Sequence, residues 1–144
     1  MLQRIQTLYL FISAILSSIV IYMVPLWKSH EGMEIFETDV LLSDDWRLVS
    51  IAIAFILSGF LSLLSIFMFK NRSRQIGLNR FNIVINFYLL GIIVYYLLTL
   101  PGESQISEKG IGVFIPIMVI VLLALANKSI IKDEKLVKSV DRLR

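Results

Sequence analysis

Four long apolar stretches divide this 144-residue chain, and none of them contains an Asp, Glu, Lys, Arg or His. A helix needs about 20 apolar residues to cross the hydrocarbon core of a bilayer, which is about 30 Å thick. Three stretches reach that length, and the fourth, with 16 residues, can span if Lys128 extends its side chain to the membrane surface. The stretches comprise residues 5–26, 48–69, 81–100 and 111–126. We therefore predict an all-α membrane protein built as a four-transmembrane-helix bundle.

The composition excludes several other classes of protein. Hydrophobic residues make up 57% of the chain and charged residues 17%, against roughly 45–50% and 25% in soluble domains. A water-soluble enzyme or a nucleic-acid-binding domain is therefore excluded as the main identity. The chain contains no cysteine, which excludes thiol redox chemistry and a disulfide framework. We predict a single membrane domain over 1–144, with an outer loop at 28–47 and a cytoplasmic tail at 127–144.

The first apolar stretch is predicted to be a retained helix. Its 22 residues exceed the 7–15 residues usual for the apolar region of a signal peptide. No cleavage site of the small-x-small kind precedes Pro25 and Trp27. A cleaved signal peptide is the less favoured interpretation.

The distribution of basic residues predicts the orientation. Of the 14 Lys and Arg residues, 11 lie in the N-terminus, the 70–80 linker and the tail, and three lie in the other two loops. Short basic loops remain cytoplasmic, so both termini and the linker are predicted to be inside. Eight of the 11 acidic residues fall on the outer side, which reinforces the asymmetry. The basic inner face favours orientation and attraction to anionic lipid over a specific partner site.

Small and polar residues follow helical spacing in the first three stretches. Asn79, Asn82 and Asn86 are three and four residues apart, which places them on one helical face. Amides in hydrocarbon need partners from another helix, so we predict interhelical polar contacts at Asn82 and Asn86. The alternative is a polar half-channel or a lipid-headgroup notch. Stripes of small residues favour helix packing within the chain over a second subunit; they are Ser13, Ala14, Ser17 and Ser18, and Ser58, Gly59, Ser62 and Ser65.

The tail after the fourth stretch has an apolar face at helical spacing, formed by Leu136, Val137, Val140 and Leu143. This pattern predicts an amphipathic C-terminal cytoplasmic helix. Such a helix either lies along the inner leaflet or docks on a cytoplasmic partner.

The outer loop is the longest segment between the apolar stretches. Partial alternation of apolar and acidic residues over 33–42 predicts a short strand or hairpin. His30 has no second His and no Cys at metal-ligand spacing, so the loop is interpreted as solvated and no metal site is predicted.

Chemistry inside a membrane usually depends on acidic or basic residues placed there, and such residues are a strong functional signal. The four apolar stretches contain none, and the chain has no Gly-rich phosphate loop. We therefore predict no enzymatic activity, no cofactor and no catalytic residue.

The two ends of the chain carry its most distinctive motifs. It starts with MLQRIQTLYL, has PLW at the end of the first stretch, and finishes with LANKSIIKDEKLVKSVDRLR. With these motifs the whole chain resembles a family of bacterial four-helix integral membrane proteins, found in the Bacteroidota and known only as a domain of unknown function. The resemblance implies a Gram-negative inner membrane and brings no activity with it.

Both motifs lie at the predicted cytoplasmic boundary, in surface residues that packing alone does not require. We therefore expect a partner-docking surface at Arg4, Lys132, Asp133, Glu134, Asp141, Arg142 and Arg144. The predicted function is a non-catalytic accessory subunit of a larger inner-membrane complex, such as a machine for protein export or envelope assembly. Its partners would be membrane lipids and other integral membrane proteins, without nucleic acid. The alternative is a transporter-like module that binds a lipid or small molecule at Asn82 and Asn86.

Overall fold

The computed structural model describes residues 2–28, 34–99 and 111–142. A continuous helix opens the chain and consists of α1 (Leu2–Ile15), a π-helical segment (Leu16–Val20) and α2 (Ile21–Met23). The remaining elements are β1 (Trp27–Lys28), β2 (Glu34–Ile35), α3 (Glu37–Leu41), α4 (Trp46–Phe67), α5 (Arg72–Thr99), a 3-10 turn (Ile111–Val113) and α6 (Phe114–Asp141).

Within these ranges, four helices are long and apolar enough to cross a membrane, which confirms the predicted number. They are Ile5–Met23, Trp46–Phe67, Arg72–Thr99 and Ile111–Asp141. They form a ring in which α1 packs on α4, α4 on α5, α5 on α6, and α6 on α1. Neighbours run antiparallel. The bundle thus has a terminal end, where α1 and α5 begin and α4 and α6 end, and a loop end, which carries β1, β2 and α3.

Apolar side chains occupy both the inside and the outside of the ring. Leu10, Phe55 and Leu123 are fully buried between the helices. Phe60 and Leu98 are 56% and 77% exposed on the outer surface. Contiguous apolar surface of this kind is unfavourable in water and matches the hydrocarbon of a bilayer.

Two helices extend beyond the apolar stretches from which they were predicted. α5 begins at Arg72 instead of near residue 81, and Asn71 caps its first turn by accepting from the N–H of Arg74 at 3.4 Å. α6 continues to Asp141, so the tail predicted to start at 127 is the last part of the same helix. Charged residues end an apolar stretch without ending a helix, because Lys, Arg, Glu and Gln are good helix formers.

The loop between the first two membrane-length helices contains both a hairpin and a helix. β1 pairs antiparallel with β2, with Trp27 opposite Ile35. A helix follows at once, because the Asp39 carboxylate accepts from the N–H of Phe36 at 3.0 Å and caps α3. The predicted strand therefore holds only up to Ile35, and the strand prediction for residues 37–41 is wrong.

Gly59 sets the distance between the first helix and α4. A Cβ atom added there would overlap the Ser18 Oγ and lie 3.2 Å from the Ser18 Cβ. A Cβ added to Gly91 of α5, by contrast, would meet nothing within 4 Å. Close approach at Gly59 is the packing that small residues permit between membrane helices.

We expect Gly59→Leu to lower the free energy of unfolding by about 1–3 kcal/mol, because the added side chain forces the two helices apart. Gly91→Leu is the matched control and should leave stability unchanged or slightly raised, since leucine favours a helix more than glycine does. Thermal unfolding in detergent micelles measures both. Equal effects of the two substitutions would contradict the packing role of Gly59.

Candidate functional site

A line of buried polar side chains runs through the interior of the bundle, where it joins all four membrane-length helices. The α4 members recur at residues 58, 62 and 65 and the α5 members at 75, 79, 82 and 86, so each set lies on one face of its helix. All are buried. We call this line the polar seam; it comprises Ser13, Ser17, Ser58, Ser62, Ser65, Gln75, Asn79, Asn82, Asn86 and Asn127.

Asn82 and Asn86, the two predicted interhelical contacts, fasten α5 to α4. The Asn82 Nδ2 donates to the backbone carbonyl of Ser58 at 3.0 Å and to the Ser62 Oγ at 2.9 Å. The Asn86 Nδ2 donates to the Ser58 Oγ at 2.8 Å and to the Asn82 backbone carbonyl at 2.9 Å. Both amides are thus directed at protein groups in the bundle interior.

The same serines connect α4 to the first helix. The Ser13 Oγ lies 3.0 Å from the Ser62 Oγ, and the Ser17 Oγ lies 3.4 Å from the Ser58 Oγ. One hydroxyl of α4 therefore contacts both neighbouring helices at each of the two levels.

Further contacts extend the seam toward the terminal end. The Ser65 Oγ donates to the Asn79 Oδ1 at 2.6 Å, and the Gln75 Nε2 donates to the Ser65 carbonyl at 2.9 Å. The Asn79 Nδ2 donates to the Asn127 Oδ1 at 2.9 Å, which brings α6 into the seam. Among the seam's side-chain atoms in the described residues, only the Asn86 Oδ1 is buried without a partner.

The docking surface predicted at the chain ends is only partly available. Asp133 is 7% exposed, and its Oδ2 accepts from the Gln6 Nε2 at 2.6 Å. It follows Ala126 and Ile130 at helical spacing, so it faces α1 and not solvent. Asp133 therefore fastens the end of α6 to the start of α1 and offers little surface to a partner.

The other predicted docking residues have different surroundings. Glu134 accepts from the Lys138 Nζ at 2.8 Å along the same helix. Lys132, Asp141 and Arg142 are exposed. Arg4 lies in the first turn of α1, and Arg144 lies outside the described residues.

Glu37 is a buried carboxylate that sequence reasoning missed. Its side chain is 1% exposed, and within the described part of the chain neither carboxylate oxygen has a hydrogen-bond partner. Burial raises the pKa of the Glu37 carboxyl to about 7. An acidic residue in a loop is ordinarily solvated. The signal available in the sequence is only the three-residue spacing of Glu37 and Val40, which the structure places together on the buried face of a short helix.

Metal ligation has little support in the described residues, among which no three His, Cys, Asp or Glu side chains cluster. His30 lies outside them. The polar seam contains amides and hydroxyls and no acidic or basic group, so its chemistry is hydrogen bonding.

A family model covers residues 2–143, which is nearly the whole chain. The chain belongs to the DUF4293 family. That family is described as a domain of unknown function, and the chain has no match among curated proteins or solved structures. Membership in DUF4293 confirms the expected uncharacterised family.

For this DUF4293 protein, we expect a dependence of stability on pH that originates at Glu37. The folded state holds the Glu37 proton more tightly than the unfolded chain does, so the contribution of Glu37 to stability is greatest in acid. That contribution decreases as the pH rises from about 4.5 through 7. Glu37→Gln should therefore be more stable than the parent at pH 8, by an amount on the order of 2–3 kcal/mol, and similar to it below pH 4.5.

The measurement is thermal unfolding in detergent across pH 4 to 8, with the difference between parent and variant plotted against pH. Asp44→Asn removes an exposed carboxylate of the same loop and serves as the control, for which we expect no such trend. A difference between Glu37→Gln and the parent that stays constant over this range would contradict the assignment.

Proposed function

We propose that this protein is a non-catalytic accessory subunit of a larger membrane complex, in the inner membrane of a Gram-negative bacterium of the Bacteroidota, with both termini in the cytoplasm. One observation carries the proposal. Every residue from 135 to 142 is exposed, although the chain remains helical to Asp141. We call residues 135–142 the C-terminal arm.

The relative positions of α5 and α6 at the terminal end explain why the arm is exposed. Asn79 of α5 pairs with Asn127 of α6, so Arg72, at the start of α5, lies near the level of residue 134. The seven residues that follow in α6 extend about 10 Å further at 1.5 Å per residue. They project past the start of α5 and are exposed.

The arm exposes large apolar side chains among its charges. Leu136, Val137 and Val140 are 49%, 48% and 60% exposed and lie on one side of the helix. Lys138 pairs with Glu134 at the base of the arm. An apolar stripe between charged residues suits a helix that docks on another protein, because association removes the stripe from water.

The interior of the bundle supports a structural role in preference to a transport role. The amides of Asn82 and Asn86, the residues of the alternative binding site, donate to Ser58 and Ser62. A ligand would have to displace those hydrogen bonds. The alternative, a transporter-like module for a lipid or small molecule, thus has less support than the accessory subunit.

We expect Leu136→Ser/Val140→Ser to release stoichiometric partners when the tagged protein is purified from its native membrane in a mild detergent. The substitutions remove two of the three apolar side chains of the stripe without changing charge. Leu42→Ser, at a position 84% exposed at the loop end, is the control and should retain the partners. The readout is the native mass of the complex with the identities of its components.

Two outcomes would overturn the docking function. One is a parent protein that purifies alone or as a homo-oligomer. The other is a set of partners that the arm variant retains as fully as the Leu42→Ser control does.

The double substitution Asn82→Leu/Asn86→Leu separates the accessory subunit from the transporter-like module. As a structural clamp, the pair should lose stability by about 1–2 kcal/mol, because interhelical hydrogen bonds of this kind contribute about 0.6 kcal/mol each. Combining it with Ser58→Ala/Ser62→Ala should cost less than the sum of the two changes. Additive losses, or unchanged stability with loss of a bound solute, would favour the alternative.

The orientation can be tested by cysteine labelling, because the chain has no cysteine of its own. A membrane-impermeant maleimide should label Asp44→Cys in intact spheroplasts. It should label Ser73→Cys and Ser139→Cys only after the membrane is permeabilised. All three positions are exposed, and labelling of either serine position before permeabilisation would reverse the proposed orientation.

A further inference from the structure

A groove of about 620 Å³ lies between α5 and α6 near the terminal end. Four basic residues line it: Arg80, Lys128, Lys132 and Lys135. Ile83, Ala124 and Ile131 supply most of the remaining wall. The groove meets the polar seam at Asn127, which also lines it, and is separate from the apolar stripe of the C-terminal arm.

Helical spacing and one hydrogen bond explain why these charges meet. Lys128, Lys132 and Lys135 are four and three residues apart, so they share one face of α6. The hydrogen bond from the Asn79 Nδ2 to the Asn127 Oδ1, 2.9 Å long, fixes the alignment of α5 with α6. Each of these two asparagines directly precedes a basic residue of the groove, so Arg80 and Lys128 lie about 3 Å apart along the bundle axis, two residues at 1.5 Å each.

The positive charge of the groove is not neutralised by its own wall. Among the residues that the structure describes, no acidic side chain lines it. The two acidic residues nearest in sequence are engaged elsewhere, Asp133 with Gln6 and Glu134 with Lys138. Four cations around one groove, without an acidic partner among the described residues, favour an anionic ligand.

The groove also crosses the boundary between apolar and charged sequence. Ile83 and Ala124 belong to the uncharged stretches of α5 and α6, whereas Arg80 and Lys128 are the charged residues that adjoin those stretches. A ligand that fills the groove must therefore be anionic at one end and apolar at the other. Basic pockets between membrane helices at this level suit phospholipid headgroups.

We propose that this groove binds an anionic glycerophospholipid. Arg80, Lys128 and Lys132 hold the phosphate, and the first part of an acyl chain lies against Ile83 and Ala124. The inference rests on the membrane location proposed above and not on the docking function of the arm.

The test measures lipid binding to the delipidated protein in detergent by native mass spectrometry and thermal unfolding. Phosphatidylglycerol should remain bound and raise the melting temperature. Phosphatidylcholine, which has no net charge, and inorganic phosphate, which has no acyl chain, should do neither. Equal stabilisation by phosphatidylcholine would overturn the proposal, and equal stabilisation by inorganic phosphate would indicate a free-phosphate site instead.

Matched variants localise the binding. Arg80→Gln/Lys132→Gln should weaken phosphatidylglycerol binding about 30-fold, since each basic residue contributes about 1 kcal/mol. Lys70→Gln/Arg74→Gln removes the same charge from exposed positions at the same end of the bundle and should leave binding unchanged. Equal weakening by both pairs would mean that general surface charge, and not the groove, attracts the lipid.

A second groove variant does not alter charge. Ala124 is exposed, so Ala124→Trp should fill the apolar part of the groove without disturbing the core, and it should also weaken phosphatidylglycerol binding. Undiminished binding to this variant would overturn the placement of the acyl chain. Leu136→Ser/Val140→Ser should bind the lipid normally, so failure of the docking function and failure of the lipid site give different results.

Discussion

The structure depends on hydrogen bonds between polar side chains in an otherwise apolar interior. Hydrocarbon offers no partner to an amide or a hydroxyl, so each such group must find one within the protein. Ser58 and Ser62 of α4 have contacts on both sides, with Asn82 and Asn86 of α5 and with Ser13 and Ser17 of the first helix. These contacts specify which faces of the three helices meet. Apolar side chains alone cannot do so, because they pack as well against lipid as against each other.

Close packing and hydrogen bonding require each other here. A serine hydroxyl is short, so it reaches across a helix interface only if the backbones are near. Gly59 permits that approach beside Ser18. The asparagines of α5 are longer and meet α4 without such a glycine, which is consistent with the open space beside Gly91.

At the terminal end, hydrogen bonds between longer polar side chains also join the helices. Gln6 and Asp133 join α1 to α6, and Asn79 and Asn127 join α5 to α6. These bonds hold α6 in a register that leaves its last residues exposed and brings the basic residues of α5 and α6 around one groove. The exposed arm and the basic groove, for which we propose a protein and a lipid ligand, are thus consequences of how the interior is paired.

The sequence by itself determined the number of membrane-length helices, because charged residues are excluded from hydrocarbon, and it placed Asn82 and Asn86 on one face through their spacing. It did not determine the ends of α5 and α6, since helix propensity continues past the last apolar residue. Tertiary structure alone decided that Asp133 turns inward, because its partner Gln6 lies 127 residues away in the chain. It also decided that Glu37 is buried and that four basic residues share a groove. The spacing of residues along the sequence predicts which face of a helix each one occupies. Burial and hydrogen bonding depend on which other part of the chain packs against that face.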